Sequence, residues 1–510
     1  MSMKSILRNG LVIVLALAFV FAGTTMVMAE GDRLIIGSGA EAPGLDPRLE
    51  MDIPAFERIN MINENLVDYN TDMELVGTLA TDWEYSDDGL TLTFDLREGV
   101  LFHHGREFVA EDVKYTYDWI LDEDNAAPNR DQYTDIDEIE IIDDYTVVFH
   151  LSEVNGFLIN NMARMPIVPH DLAEEMGEEF RNSPVGTGPY AFESWSRDDR
   201  LVLTAFEDYW GGTPNIESVE FRPIPENSAR LLALEAGEIH TFYSGVVPDE
   251  VDRLEADDSV NVHRTPGTGY SYVGFNLRNE YLADRDLRLA ISHMINREAI
   301  VEHVLNGVGQ VGKTAISPGL PWFNDEIDHV GYDPERAATL LEEGGYLDED
   351  FTLRIFTNEN PVRMQIAEIL EYELSELGLD IEVRIEEWGA FLDRVFDGED
   401  YEMYILGWSG QMDPDRATYR QFHTDGVYND TYFSDSRLDE LVEKGTAVPG
   451  DSQESLDIYY EVQEILNREQ PYAYVNYTEE VALVRPEVQG FEMHPYAANA
   501  WLNVFEMTLD

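Results

Sequence analysis

A β-α-β pattern near residue 360 constrains the fold of this chain more than any other feature. The segment "FTLRIFTNEN" (351–360) has the alternation and β-branched residues of a strand, and "DIEVRIEEW" (380–388) repeats them. Between the two, residues 363–378 carry apolar side chains at helical spacing and end at Gly378. Two strands joined by a crossover helix pair in parallel within one sheet, so this unit predicts an α/β fold.

Strand and helix patterns alternate along the rest of the chain in the same way. Further strands are predicted at 33–39, 90–96, 145–151, 200–206 and 270–277. Further helices are predicted at 110–121, 228–238, 285–296, 334–345 and 456–469. The charged segment 121–138 is predicted to be an exposed loop, and 181–190, rich in Pro and Gly, is predicted to be a linker or crossover. A chain of 510 residues is too long for one core, which indicates two or three domains.

The N-terminal residues have the pattern of a secretory signal. Lys4 and Arg8 precede an apolar run at 11–22, and a small residue stands just before Glu30. The alternative is an uncleaved membrane anchor, but the apolar run is short for a membrane span. The sequence therefore predicts a signal peptide over 1–29, its cleavage, and an exported mature chain.

Cysteine is absent from the chain. An exported protein without cysteine has no disulfide framework. It also has no cysteine that could accept a lipid at the cleavage site, so the sequence is not typical of a lipoprotein. We expect a soluble protein of the periplasm.

The charge is strongly negative, at −69, from 102 acidic and 33 basic side chains. Such a surface repels nucleic acid and anionic membranes, so neither is expected as a partner. A patch for a cationic ligand would be local, whereas these acids are spread over the whole chain. The composition therefore favours a hydrated carboxylate surface of the salt-loving type, because salt screens the repulsion between carboxylates.

Patterns of catalytic or metal-binding chemistry are weak. The adjacent histidines of "FHHG" (102–105) point in different directions on most backbones, and no regular His/Asp spacing completes a metal site. "GWSG" is not a G-x-S-x-G nucleophile elbow, and "GTGPY" lacks a glycine of a dinucleotide loop. With 102 acids, carboxylate pairs are expected by chance. The sequence predicts no enzyme, no cofactor and no metal site.

Five blocks of sequence resemble one protein family. They are "LATDWEYSDDGLTLTFDLREGVLFHHGREFVAEDVKYTYD" (79–118), "SPVGTGPYAFESW" (183–195), "DYWGGTPNIESVEFRPIPENSARLLALEAGEIH" (208–240), the segment from "VGFNL" to "INREAIV" (273–301) and "YDPERAATLLEEGGY" (332–346). In this order they are similar to the family-5 extracellular solute-binding proteins of ABC importers, which bind peptides, nickel or oligosaccharides. The resemblance runs from about residue 33 to the end of the chain.

The resemblance implies a two-lobed periplasmic-binding-protein fold of class II, cluster C type, with an extra small subdomain and a ligand cleft between the lobes. Lobe I would comprise 30–70, 187–273 and 485–510; the extra subdomain 71–186; and lobe II 274–484. The lobes of such proteins close around ligand by hinge motion, and the membrane permease recognises the closed form.

The segment "GWSGQMDPDRATY" (407–419) carries three candidate ligand contacts. In peptide-binding relatives, an Asp three residues after the Trp pairs with the α-ammonium of the ligand. Gln411 takes that position here, and the stretch from Trp408 to Pro414 is one residue shorter. Asp413 could take over the ammonium contact, although an Asp-Pro pair is also an ordinary turn. Gln411 suits a sugar hydroxyl or a peptide group better than an ammonium, because it carries no charge.

Other candidate contacts follow from the same resemblance. Trp388 and Trp408 stand where the family places two tryptophans along the cleft; the alternative is core packing. Tyr270 and Tyr272 alternate onto one face of a strand that would enter the cleft. Arg363 could pair with a ligand carboxylate, whereas the ordinary alternative is a solvated arginine at a helix start.

The function predicted from these observations is that of a periplasmic solute-binding protein, not an enzyme, that delivers an oligopeptide-like solute to an ABC importer. The expected partners are the ligand and the permease subunits, and the expected state is a monomer. An oligosaccharide binder, a nickel or metallophore binder and a secreted hydrolase are the alternatives.

Overall fold

The structure is a computed structural model that describes residues 33–243, 245–246, 248–398, 400–450 and 452–510. The predicted signal peptide lies outside these residues. Among the helices described, none is both long enough and apolar enough to cross a membrane.

The strands are Arg33–Ser38 (β1), Val67–Tyr69 (β2), Leu75–Gly77 (β3), Ala80–Tyr85 (β4), Thr91–Leu96 (β5), Ile136–Asp143 (β6), Thr146–Leu151 (β7), Tyr190–Ser196 (β8), Arg200–Ala205 (β9), Ser218–Pro223 (β10), Thr241–Tyr243 (β11), Asn261–Phe275 (β12), Gln310–Val311 (β13), Thr352–Asn358 (β14), Asp380–Glu386 (β15), Met403–Trp408 (β16), Tyr472–Val484 (β17), Val488–Gln489 (β18) and Thr508–Leu509 (β19).

The α-helices are Ile53–Ile62 (α1), Ala110–Leu121 (α2), Leu158–Met162 (α3), His170–Met176 (α4), Asn227–Glu235 (α5), Pro248–Glu255 (α6), Arg285–His293 (α7), Arg297–His303 (α8), Pro334–Gly344 (α9), Pro361–Glu376 (α10), Trp388–Leu392 (α11), Pro414–Phe422 (α12), Ser436–Thr446 (α13) and Gln453–Glu469 (α14).

The predicted β-α-β unit is present as β14, α10 and β15. The two strands pair in parallel, with Thr352 opposite Asp380. The helix begins at Pro361, earlier than the apolar pattern indicated, because the Asn360 side chain accepts a hydrogen bond from the backbone N–H of Arg363 and caps it. Leu340, Ile366 and Leu370 lie in the apolar core that α9 and α10 share with these strands.

One large sheet joins most of the strands, in the order β15-β14-β16-β12-β17-β11-β1-β10-β9-β8, with β13 beside β17. Its centre is the long antiparallel pair of β12 and β17. Residues 261–266 of β12 pair with 479–484, next to β11, and residues 270–275 pair with β16. The two strands therefore run through both halves of the sheet.

The register between β12 and β17 shifts between Pro266 and Tyr270. The strand predicted at 270–277 is only the second part of β12, because Pro266 and two following glycines interrupt the alternation without ending the pairing. A bulge of this kind bends a strand locally, so it is a natural place for the two halves of the sheet to change their relative angle.

A separate small sheet, β4-β5-β7-β6, lies within residues 80–151 and packs against α2. The predicted exposed loop at 121–138 was wrong in part, because Tyr133 is buried and packs edge-on against Tyr117 at 5.3 Å between ring centroids. The segment also includes the start of β6, at Ile136. It is therefore part of the packed subdomain.

Candidate ligand-binding site

The candidate residues meet where β16 ends beside β12. Tyr270 lies opposite Trp408 in the sheet register, and Tyr272 lies opposite Leu406. The first turn of α10 brings Arg363 to the same place. Its Nη2 atom lies close to Gly407 of β16, 3.7 Å from the position that a Cβ would take there. Residues distant in sequence thus surround the end of one central strand.

Tyr270 and Tyr272 belong to a buried cluster of tyrosines. The ring of Tyr272 stacks on Tyr472 at 3.7 Å, and Tyr270 contacts Tyr474 edge-on at 5.6 Å. Both candidates are fully buried, and burial raises their pKa well above the ordinary value. Within the described part of the chain, the Tyr270 hydroxyl has no hydrogen-bond partner. That hydroxyl is available to a ligand only if the ligand reaches the floor of the site.

Asp430 is a buried acid at this cluster that the sequence did not single out. The Tyr472 hydroxyl donates a hydrogen bond to its Oδ1 at 2.8 Å, and Tyr401 donates to its backbone carbonyl. Burial raises the pKa of Asp430 to about 7, although the hydrogen bond from Tyr472 opposes this. No motif or spacing marks this residue, since its role depends on tyrosines far away in the chain.

The two candidate tryptophans differ in exposure. Trp388 is the first residue of α11 and is 45% exposed. Trp408 is half-buried between Phe396 and Tyr428, with ring centroids 6.1 and 5.4 Å away. Its Nε1 donor has no hydrogen-bond partner in the region that the structure describes. Trp388 can therefore offer a ring face, and Trp408 can offer a ring edge with a free donor.

Arg363 is a half-buried cation whose charge is not compensated nearby. Its Nη1 donates to the side-chain oxygen of Asn358 at 3.0 Å, and its guanidinium carbon lies 5.8 Å from the ring centroid of Trp388. Burial lowers the pKa of Arg363, and Tyr272 opposes that effect. None of the ion pairs among the described residues includes Arg363, whereas neighbouring Arg394 binds Glu386 at 2.6 Å.

Gln411 folds inward after a tight turn at Gly410, whose φ is +64°. The side chain of Gln411 is only 3% exposed, and its Nε2 donates to the carbonyl oxygen of Ser409 at 3.2 Å. Its Oε1 acceptor has no partner among the residues that the structure covers. A buried acceptor left unpaired in this way is costly unless a ligand or water supplies a donor.

Asp413 is the N-cap of α12. Its Oδ1 accepts a hydrogen bond from the backbone N–H of Arg416 at 2.7 Å, and Pro414 occupies the first helical position. Burial raises the pKa of Asp413, while Arg416, Arg164 and Arg420 act in the opposite direction. The structure thus gives this carboxylate a structural role and three cationic neighbours.

The "FHHG" histidines have structural partners. The ring of His103 is half-buried and its Nε2 lies 2.9 Å from the carbonyl oxygen of Gly188; desolvation lowers its pKa to about 4. His104 faces Asp171, at 3.7 Å. Among the described residues, no group of three or more His, Cys, Asp or Glu side chains could hold a metal ion.

Comparison with known proteins identifies what this architecture is similar to. A model of the "Bacterial extracellular solute-binding proteins, family 5 Middle" matches residues 74–429. The dipeptide-binding protein of Escherichia coli K12 is 26% identical over 519 residues, which cover 95% of this chain and 96% of that protein.

Two solved structures extend the comparison to the fold. The periplasmic binding protein DppA of Helicobacter pylori in complex with the peptide STSA is 29% identical, with a TM-score of 0.77 over 94% of this chain and 98% of that one. The ABC transporter substrate binding protein CtaP of Listeria monocytogenes is 25% identical, with a TM-score of 0.86 over 94% and 99%. These likenesses confirm the predicted two-lobed α/β fold.

Proposed function

Because the chain belongs to the family-5 bacterial extracellular solute-binding proteins, we propose that it captures a short peptide outside the cytoplasm and delivers it to an ABC importer. Membership of the family, predicted from the sequence blocks, is confirmed by a family match that spans most of the chain. The peptide class is supported by the dipeptide-binding relative of Escherichia coli and by the peptide complex of the Helicobacter pylori protein.

Arg363 is the observation that carries the peptide proposal. In a chain with 102 acidic residues, this half-buried guanidinium is bonded to the neutral side chain of Asn358. A peptide has an α-carboxylate at one end, and that group would compensate the charge through short charge-assisted hydrogen bonds. The exposed ring of Trp388 beside Arg363 would cover the last side chain of the peptide.

Gln411 and Asp413 are the two candidates for contact with the amino group of the peptide. Gln411 is the stronger candidate for this contact, because its Oε1 lacks a hydrogen-bond partner among the described residues, whereas Asp413 already caps α12. We therefore propose that Gln411 accepts a hydrogen bond from the first residue of the peptide. The contact predicted between Asp413 and the ammonium remains a separate prediction, which is tested below.

Binding of matched peptides tests the role of Arg363. A free-acid dipeptide or tripeptide should bind more tightly than its C-terminal amide by roughly 10- to 150-fold, the range of about 1.5–3 kcal/mol for hydrogen bonds to charged groups. Arg363→Gln should remove this preference, and the exposed Arg336→Gln should keep it. Calorimetry with both peptide forms measures the effect; a parent protein that binds amide and acid equally would contradict the proposal.

An oligosaccharide is the second candidate ligand. The unpaired Gln411 oxygen and the tryptophan rings suit sugar hydroxyls and sugar faces, but a neutral sugar leaves Arg363 uncompensated. Titration with neutral oligosaccharides decides between the two, since a sugar ligand should be lost in Gln411→Ala and kept in Arg363→Gln. Turnover of peptides and glycosides over the same series tests the hydrolase alternative.

We also propose the mature form and its division into lobes. Cleavage before Glu30 would release a periplasmic monomer without a lipid anchor, and N-terminal sequencing of the exported protein tests this. The proposed division has lobe I at 30–70, 187–273 and 485–510, the extra subdomain at 71–186 and lobe II at 274–484. The long strands β12 and β17 pass from one half of the sheet to the other at the bulge between Pro266 and Tyr270, a few residues before the proposed boundaries.

A further inference from the structure

The extra subdomain touches lobe II through a short tip, which consists of Asn155, Gly156 and Phe157. The tip lies between β7 and α3. The backbone N–H of Gly156 donates a hydrogen bond to the carbonyl oxygen of Thr446, at 2.7 Å. Thr446 is the last residue of α13, so this bond joins two parts of the chain that are far apart in sequence.

Phe157 fills a slot in lobe II. The side chain is only 3% exposed, and its ring lies edge-on to Trp322 and to Tyr459, with centroids 5.9 and 5.8 Å away. The slot is itself fixed, because the Trp322 Nε1 donates to the carbonyl oxygen of Gly450 at 2.9 Å. Edge-to-face aromatic contacts of this kind add stabilisation beyond the burial of apolar area.

Two glycines allow the tip and the slot to approach each other. A Cβ added at Gly156 would overlap the carbonyl oxygen of Val448, which is backbone and cannot rotate away. A Cβ added at Gly450 would lie 2.9 Å from the ring of Phe157. Neither glycine is required by a positive φ, so the close approach itself is what excludes a larger residue.

The shape of the tip is set from within the subdomain. The Asn155 side-chain oxygen accepts from the backbone N–H of Phe157 at 3.0 Å, and its amide donates to Asp135 at 2.8 Å. The Tyr85 hydroxyl donates to the Asn155 carbonyl oxygen at 3.1 Å. The tip is thus preorganised for the slot before the lobes meet, which lowers the entropic cost of the contact.

We propose that this tip and slot form a closure latch. The chain passes between the lobes along β12 and β17, and the latch is a non-covalent contact made elsewhere, so hinge motion can open it. A contact that exists only in the closed conformation raises the population of that conformation. It thereby tightens binding of any ligand without touching it, because apparent affinity scales with the fraction of competent protein. The latch gives the extra subdomain a function that does not depend on the class of ligand.

Two substitutions test the latch directly. Gly156→Ala should prevent the tip from seating, and Phe157→Ala should empty the slot. The matched controls are Gly331→Ala, where an added Cβ meets open space, and Phe351→Ala, which removes a lobe II ring stacked on Tyr281 instead. Gly156→Ala removes no buried side chain, so it remains informative even if Phe157→Ala does not fold.

The cysteine-free chain allows a distance measurement with two introduced labels. Cysteines at Leu232 on α5 and Tyr372 on α10, which are 64% and 63% exposed, would report on lobes I and II. Without ligand, both latch variants should lower the closed-to-open ratio by about 5- to 30-fold, the factor that one or two kcal/mol provides. The two controls should match the parent protein.

The second measurement is the dissociation constant for the peptide trialanine. The dissociation constant should rise by the same factor as the closed fraction falls, while the preference for the free acid over the amide is kept. Folded latch variants with an unchanged distance distribution would overturn the proposal. If the parent protein binds no peptide, the proposed function fails, and the ligand-free distances still decide whether the latch exists.

Discussion

Two candidate residues, in the first turn of α10 and at the N-cap of α12, differ in how their charge is compensated. Arg363 is half-buried and bonded to the neutral side chain of Asn358. Asp413 is buried, accepts a hydrogen bond from the first turn of α12 and has Arg416, Arg164 and Arg420 as cationic neighbours. A buried charge with its own partners is part of the structure, whereas one without partners remains costly until a ligand supplies them.

Residue type alone therefore does not identify a residue that anchors the ligand. Both residues were candidates because relatives use an arginine and an aspartate to bind the two ends of a peptide. The structure distinguishes them by their surroundings, and the surroundings favour a cleft that recognises the carboxylate end of its ligand more strongly than the amino end.

Asp430 is a third case, a buried carboxyl held by tyrosine hydroxyls instead of cations. Burial raises its pKa from the ordinary value of 3.8 to about 7, so the folded state holds the proton more tightly than the unfolded state. Its contribution to stability is therefore complete below about pH 4 and is lost as the pH rises towards 7.

Asp430→Asn removes this titration and keeps the acceptor for Tyr472. The variant should match the parent protein at pH 4 and be more stable at pH 8 by roughly 2–4 kcal/mol, at about 1.4 kcal/mol per pKa unit. Urea unfolding at both pH values measures the difference, with the exposed Asp258→Asn as control. A difference that does not change with pH would mean that the hydroxyls compensate the charge fully.

Trp408→Ala tests whether the half-buried tryptophan contacts ligand. We expect peptide binding to weaken by about 1–3 kcal/mol, the loss typical of a buried aromatic anchor at an interface. Trp388→Ala should weaken peptide binding less, because that ring is more exposed and solvent can take its place. Calorimetry measures both variants, and ligand-induced changes in tryptophan emission should diminish with each. Unchanged affinity in folded Trp408→Ala would assign the ring to the core and move the cleft elsewhere.

Substitutions at Asp413 test whether this carboxylate only caps α12 or also binds the amino group of the peptide. If it is only a cap, Asp413→Ala should destabilise the protein by about 1 kcal/mol, and Asp413→Asn should keep most of that stability. Neither should change the ratio of affinities for a free-amine peptide and its N-acetyl form. A large selective loss for the free amine in Asp413→Asn would instead establish an ammonium anchor and remove the asymmetry between the two ends.

Periodicity and capping residues predicted those helices and strands that depend only on residues nearby in the sequence. The β-α-β unit at β14, α10 and β15 follows from periodicity, and the two residues by which α10 begins earlier follow from the Asn360 cap. The segment 121–138 was harder, because its charges indicated a loop while the burial of Tyr133 depends on Tyr117 as a partner. Propensity carries no information on such a contact.

The same limit applies to the site. Arg363 was recognisable as a candidate, but its lack of an acidic partner is a property of the assembled fold. The surroundings of Asp413 include Arg164, which lies about 250 residues earlier in the chain. The sequence alone therefore could not show whether Asp413 caps a helix or binds the ligand. Asp430 carries no pattern at all, since the tyrosines that bond to it are Tyr401, just before β16, and Tyr472 of β17.

A small polar cavity lies beside the proposed latch. The cavity has a volume of about 160 Å³ and is lined by Asp131 and Asp135, by the N-cap residue Asp413 and by residues of α12. On the α12 side, burial and the charge of Asp413 raise the pKa of Asp415 to about 8, so this acid is mostly neutral at pH 7. Arg416 and Arg420 then outnumber the remaining carboxylate of that side, Asp413, and leave it net positive, opposite the two acids.

Salt should therefore have two opposite effects on this protein. Screening of the exposed acids should raise the melting temperature, as the composition predicts. Screening across the cavity should weaken closure, because it acts on attraction between the subdomain and α12. Between 0.1 and 1 M NaCl at pH 7, the closed-to-open ratio of the labelled protein should fall about two- to threefold, the scale of a partly exposed ion pair. Asp131→Asn should reduce this salt dependence while leaving the latch in place, and a ratio that rises with salt would show that repulsion governs the contact.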